Sequence, residues 1–162
     1  MVKKGFKRIQ LLLARALKQG WSVERLSWAG AWGGTVGVFP IYGVTTPALA
    51  VVGWVGKLNH AVLQAFNYMM GPLKLLLILP YIRLGEVLFR ADDPFRLSIP
   101  EFADRFHAAP LETLQRFSMT FVHASVGWLL TAPLWMLALF LLMKTVLGSK
   151  RLSQIPLEEK TI

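Results

Sequence analysis

A run of 31 residues without a charged side chain, from Leu26 to Gly56, constrains this fold more than any other feature of the sequence. One helical crossing of a bilayer takes about 20 residues, and two crossings joined by a turn take about 40 or more. The run is therefore too long for one straight helix and too short for two. Its length predicts a hairpin of two half-helices that enters the bilayer and returns on the same side.

The residues near the middle of the run are those that a hairpin tip needs. Irregular backbone at membrane depth is tolerated only where it is buried in protein or faces water. Pro40 would end the first arm and Gly43 would permit the turn, while Thr45 and Thr46 supply hydroxyls for loose backbone groups. Pro47 suits the first turn of a second arm. A single kinked, tilted helix is the alternative interpretation.

The charge distribution is typical of a membrane protein. The chain carries a net charge of +9, and seven of its 18 Lys and Arg residues fall within the first 25 positions. Nucleic-acid-binding proteins do not interleave basic patches with uncharged runs of this length, so the excess indicates the cytoplasmic Lys/Arg bias of membrane proteins. Residues 1–20 form a basic amphipathic helix that either lies on an anionic membrane surface or packs on its own protein. Its short apolar core predicts no cleaved signal peptide.

The second half of the membrane domain, which spans residues 21–89, contains polar residues that should face inward. Residues 58–89 would cross the bilayer once, with breaks at Gly71-Pro72 and at Pro80. Ionisable groups at membrane depth usually pair or line a cavity. Arg83 and Glu86, three residues apart, can pair along one helix, although Arg83 could also reach the interface. The candidate binding residues are Pro40, Gly43, Thr45, Thr46, Asn59, Asn67, Lys74, Arg83 and Glu86.

The remaining chain divides into three segments. Residues 90–117 form a polar connector, residues 118–147 a transmembrane helix without Lys, Arg, Asp or Glu through Met143, and residues 148–162 a tail. Because Lys and Arg flank both ends of the chain, both termini are predicted to be cytoplasmic and the connector external. The acidic residues and His107 of the connector match no metal-ligand spacing, and the chain lacks cysteine, so no metal or other cofactor is expected.

The stretch from residue 29 to residue 61, AGAWGGTVGVFPIYGVTTPALAVVGWVGKLNHA, resembles the bacterial family called domain of unknown function 2062. The shared elements fall on Gly33, Gly37, Phe39, Pro40, Gly43, Asn59, Pro72 and Gly85. The resemblance covers about residues 20–90 and implies an integral protein of the bacterial inner membrane, with no reaction attached. Two positions depart from the family pattern: Gly71 replaces a frequent Asn, and Lys74 stands where neutral residues are usual.

These observations predict an all-α integral membrane protein with an N-terminal amphipathic helix, a re-entrant hairpin, one broken transmembrane segment and one C-terminal transmembrane helix. No catalytic motif is present, so an enzyme is not expected. A structural or accessory role, in which glycines let helices pack closely, is the first hypothesis. The second is a transporter or flippase-like carrier of an anionic lipid or a lipid-linked group. The expected partners are membrane lipids, anionic ones included, and a membrane-protein partner or a second copy of the chain, with no nucleic acid.

Overall fold

The computed structural model describes residues 2–41, 43–90, 101, 104 and 107–148, and all regular secondary structure within them is helical, as predicted. Within these residues the bounds of six helices are defined: α1 (Val2–Lys18), α2 (Val23–Gly37), α3 (Thr45–Val55), α4 (His60–Met69), α5 (Gly71–Phe89) and α6 (Pro110–Gly148). Ser22 caps α2, because its side-chain oxygen accepts a hydrogen bond from the Arg25 N–H at 3.3 Å.

Helix α2 lies at the centre of the bundle, and its glycines allow two neighbours to approach its backbone. A methyl group on Gly33 would overlap the Leu63 carbonyl of α4, and one on Gly37 would come within 3.0 Å of the Asn67 Cα. Gly33 meets Leu63, and four residues later Gly37 meets Asn67, so α2 and α4 run parallel. Residues four apart lie on the same face of a helix, so this pair of glycines forms one contact stripe.

A second pair of glycines on α2 faces α6. Gly30 lies against the side chain of Met143, and Gly34 lies against that of Leu139. Here the numbers run in opposite directions, so α6 is antiparallel to α2. The two glycine pairs occupy adjacent faces of one helix, and α2 is therefore packed between α4 and α6.

The chain leaves the helical conformation between Gly37 and Thr45, and α3 then packs against α4. Gly43 in this turn has a φ of 83°, a left-handed conformation that glycine adopts without a steric penalty. The uncharged run therefore forms two helices joined by a turn, in the arrangement expected of a hairpin and not of one kinked helix.

Helix α5 is less broken than the sequence suggested. The interruption at Gly71-Pro72 is present, since α4 ends at Met69 and α5 begins at Gly71. The second break, predicted at Pro80, is wrong because α5 continues through that proline to Phe89. A proline inside a helix removes one hydrogen bond, and packing against a neighbouring helix can hold the helix together. Helix α6 begins at Pro110, and its long apolar part begins at Ser118, as the sequence predicted.

Helix α1 packs on its own protein, one of the two positions that the sequence left open. Leu13, Ala14 and Ala16 are buried in the main apolar core together with Leu26 and Leu49. The side chains of Arg15 and Lys18, in contrast, are exposed. The apolar face of α1 is thus occupied by the bundle, while its basic residues remain accessible.

The tryptophans near the start of α2 pack in two different places. Trp21 precedes α2, which begins at Val23, and it packs against the apolar core. Trp28 is partly exposed and stacks on Phe140 of α6 with ring centroids 4.5 Å apart. The aromatic residues therefore join α2 to the core and to α6.

Candidate functional site

Two of the predicted site residues, Thr46 and Asn67, form one hydrogen-bonded group with Gln64 close to the α2–α3 turn. The Asn67 Nδ2 group donates to Thr46 Oγ1 at 3.4 Å and to Gln64 Oε1 at 3.2 Å. The Gln64 Nε2 group in turn donates to the backbone carbonyl of Thr46 at 3.2 Å. We call Thr46, Gln64 and Asn67 the tip cluster; it joins the first turn of α3 to the end of α4.

The local sequence explains how the tip cluster forms. Gln64 and Asn67 are three residues apart on α4, so both side chains lie on the face that meets α3. Thr46 lies in the first turn of α3, ahead of Pro47. Thr45 beside it is buried, at 5% exposure, whereas Thr46 is exposed. The cluster is electrically neutral, and its hydrogen bonds hold two antiparallel helices together.

Pro40 and Gly43 lie in the turn itself. Pro40 is buried and Gly43 is exposed. Among the described residues, no atom outside the glycine and its chain neighbours lies within 4 Å of the position that a Gly43 Cβ would take. Glycine is therefore required at residue 43 for its backbone angle, and not because surrounding atoms leave too little space.

Asn59 belongs to a different part of the molecule. Its Oδ1 atom accepts a hydrogen bond from the Val62 N–H at 3.1 Å and so caps the first turn of α4. Asn67 lies two turns further along this helix, so Asn59 is at the opposite end from the tip cluster. The Oδ1 atom of Asn59 therefore has a local structural role as a helix cap.

Lys74 lies in the first turn of α5, just after the break, and only 4% of the residue is exposed. Its backbone N–H donates to the Met70 carbonyl at 2.8 Å, which continues the helical hydrogen bonding across the break. The residue makes at least one further interaction within the folded chain. The sequence predicted that an ionisable group at this depth would pair or line a cavity, and the burial of Lys74 agrees with a position inside the bundle.

Arg83 and Glu86 form the ion pair that their spacing predicted. The Arg83 Nη1 atom lies 2.9 Å from Glu86 Oε2. The Arg83 side chain is 56% exposed and that of Glu86 only 7% exposed, so the guanidinium covers a buried carboxylate from the solvent side. Lys74 lies nine and twelve residues earlier on the same helix, or about 13–18 Å along its axis. The Arg83–Glu86 pair is therefore too far along the helix axis to be part of the surroundings of Lys74.

Sequence reasoning missed the contacts that α6 makes with the turn. The indole Nε1 of Trp128 donates to the Thr35 carbonyl at 2.9 Å. The Trp128 ring also meets Phe39 edge-on, with centroids 4.9 Å apart. The Thr35 hydroxyl is buried and has no hydrogen-bond partner within the described part of the chain. No sequence signal could have paired these residues, because they lie 93 positions apart.

The nine predicted site residues thus divide among separate places. Thr46 and Asn67 meet directly, Pro40, Gly43 and Thr45 lie in or beside the turn, and Asn59, Lys74 and the Arg83–Glu86 pair lie elsewhere. No group of three His, Asp or Glu side chains among the described residues is arranged to hold a metal ion.

No protein-family model matches this chain, and no curated protein and no solved structure is significantly similar to it.

Proposed function

We propose that this chain is a multi-pass membrane protein with a structural or accessory role. Glycines at three helix interfaces carry this proposal. Gly33 and Gly37 lie against α4, Gly30 and Gly34 lie against α6, and Gly85 of α5 lies against the backbone of α6. Close backbone approach through small residues is how membrane helices associate, because lipid provides no hydrophobic force between them. The small residues of the sequence are thus used for internal packing.

The surface of α6 supports the membrane location. Helix segment Ser118–Gly148 is long and apolar enough to cross a bilayer, and only 17% of its most apolar window is buried within the protein. The core helix of a soluble protein would bury most of such a window. Large apolar side chains on α3 and α5 are exposed as well, among them Trp54, Leu76 and Val87. Exposed apolar side chains in this number suit lipid and not water.

The directions of the helices support a specific topology. Helix α2 runs toward the turn, α3 returns, α4 and α5 continue to the far end, and α6 runs back beside both α5 and α2. The ends of α1 and α6 therefore share one side, which the excess of Lys and Arg assigns to the cytoplasm. Hairpin α2–α3 would be re-entrant, and α4–α5 would supply the broken crossing. We propose the bacterial inner membrane, because the resemblance to domain of unknown function 2062 implies that location.

A carrier of an anionic lipid is the second candidate, and the burial of Lys74 next to a helix break favours it. Broken helices at membrane depth often line transport sites. The polar groups near the turn argue for the structural role, because the tip cluster residues bond to one another. The two candidates differ in whether the protein moves lipid.

Lipid movement in vesicles tests the proposal. The purified chain is reconstituted into phosphatidylcholine vesicles that carry a trace of fluorescent phosphatidylglycerol, and transbilayer movement is followed by chemical quenching of the outer leaflet. A structural protein should leave the rate equal to that of protein-free vesicles. A rate increase that Lys74→Gln abolishes would instead establish the carrier role.

A further inference from the structure

A hollow with a cationic rim lies between α1 and the start of α4. Its volume is about 500 Å³, and its lining includes the polar residues Arg15, Gln19 and Asn59 and the apolar residues Leu11, Leu12 and Ala16. Arg15 is exposed, and its guanidinium forms no hydrogen bond or ion pair with any described side chain. One guanidinium, two side-chain amides and an apolar wall thus share one concave surface.

A second hollow continues the same surface around the end of α1. Gln19 lines both hollows, and the second, of about 480 Å³, also includes Trp21, Ser22 and Arg25. Arginine recognises phosphate oxygens with two parallel hydrogen bonds, and tryptophan favours the membrane–water interface. The residue types at this end are therefore those expected around a lipid headgroup.

The charge around the two hollows is strongly positive. Through Gly85 the chain contains a single carboxylate, Glu24, which is exposed in the first turn of α2. Lys18, Arg25 and Lys57 are also exposed at this end of the bundle, where α1 ends, α2 begins and α3 joins α4. The charge therefore favours an anionic ligand. A cationic or zwitterionic ligand would be attracted less strongly.

We propose that the hollow around Arg15 binds the phosphate headgroup of an anionic phospholipid from the surrounding membrane. Arg15 and Gln19 would hold the phosphate, and Leu11 and Leu12 would contact the first part of an acyl chain. This inference rests on the proposed membrane location, because the apolar wall has a function only if acyl chains lie beside it. The site is separate from the tip cluster and from Lys74, and it requires no transport.

Native mass spectrometry of the full chain in a non-ionic detergent tests the proposal. Phosphatidylglycerol and phosphatidylcholine of the same acyl composition are added in turn, and their binding to the wild type is compared. Phosphatidylglycerol should bind more tightly, and Arg15→Gln should weaken its binding about fivefold, the effect of one basic residue at an anionic lipid. Ala61→Trp, which fills the hollow without changing charge, should also weaken it.

Lys144→Gln is the matched control, because it removes one exposed cation from α6 outside both hollows. It should leave phosphatidylglycerol binding near the wild-type value, and Arg15→Lys should retain most of it. Equal losses in Arg15→Gln and Lys144→Gln would overturn the proposal in favour of non-specific attraction. Equal binding of the two lipids to the wild type would also overturn it.

This outcome is independent of the structural role proposed above. If phosphatidylglycerol is not preferred but substitutions at the interhelical glycines still unfold the bundle, the headgroup site fails and the structural role stands. If the glycine substitutions are harmless while binding depends on Arg15, the structural role fails and the headgroup site stands.

Discussion

Gly85 of α5 lies directly against the backbone carbonyl of His123 on α6, and the contact has a counterpart one helical turn away. There Gly127 of α6 lies against the carbonyl of Tyr81 on α5. Each helix contributes one glycine and one carbonyl, and the two contacts are four residues apart on both helices. This antiparallel, reciprocal arrangement brings the two backbones together, so a side chain at either glycine would have to move a helix.

The first prediction concerns that contact. Gly85→Ala places a methyl group where the His123 carbonyl lies, and we expect it to lower the free energy of unfolding by about 1–3 kcal/mol. Thermal unfolding in detergent measures the loss. Gly148→Ala is the control, since a methyl group there meets no described atom within 4 Å. Similar melting temperatures for Gly85→Ala and Gly148→Ala would contradict the prediction, because they would mean that the close contact between α5 and α6 does not stabilise the fold.

The second prediction concerns Lys74, which is buried and engaged within the folded chain. Lys74→Gln should lower the free energy of unfolding by about 1–3 kcal/mol, because a partner group then loses its interaction. The control is Lys57→Gln at an exposed turn, which should change stability by less than about 0.5 kcal/mol. Chemical unfolding monitored by tryptophan fluorescence compares them. If Lys74→Gln is as stable as the wild type, Lys74 does not stabilise the fold and must have another role.

The third prediction separates capping from ligand binding at Asn59. Asn59→Ala removes the oxygen that accepts from the Val62 N–H, and we expect a loss of about 1 kcal/mol in unfolding free energy. Asn59→Asp keeps an oxygen in the same place and should retain most of the stability. Both variants are measured by thermal unfolding beside the wild type. If Asp and Ala are equally destabilising, the side-chain hydrogen bond does not stabilise α4.

The fourth prediction concerns Gly43, whose φ of 83° is unfavourable for residues with a Cβ atom. Gly43→Ala and Gly43→Leu should lose similar amounts of unfolding free energy, about 1–2 kcal/mol, because the strain is in the backbone and the surrounding space is open. Gly43→Asn should lose less, since asparagine tolerates this conformation. Thermal unfolding ranks the three variants. A much larger loss in Leu than in Ala would indicate that the turn is tightly packed.

The fifth prediction concerns topology, and the absence of cysteine from the chain makes it simple to test. Single cysteines are introduced at the exposed positions Lys18, Glu112 and Lys144 and treated with an impermeant maleimide in intact cells. Glu112→Cys should react, while Lys18→Cys and Lys144→Cys should react only after the cells are opened. Labelling of Lys144→Cys in intact cells would contradict the proposed number of crossings.

Local features of this protein were predictable from its sequence. Pro40 and Gly43 indicated where the uncharged run would be interrupted, and the spacing of Arg83 and Glu86 indicated their ion pair. Both depend on residues a few positions apart, whose relative placement is set by the geometry of a helix or a turn. The all-helical class was also predictable, because the long apolar runs of the sequence indicate helices.

Tertiary structure alone decided which surfaces meet. The sequence contains a glycine at residue 85 and another at residue 127, but only the packing of α5 on α6 places each against a carbonyl of the other helix. It likewise brings Trp128 to the Thr35 carbonyl and keeps α5 helical through Pro80. The physical reason is that these contacts join residues distant in sequence. Their geometry depends on the fit of whole helix surfaces, and no local pattern encodes that fit.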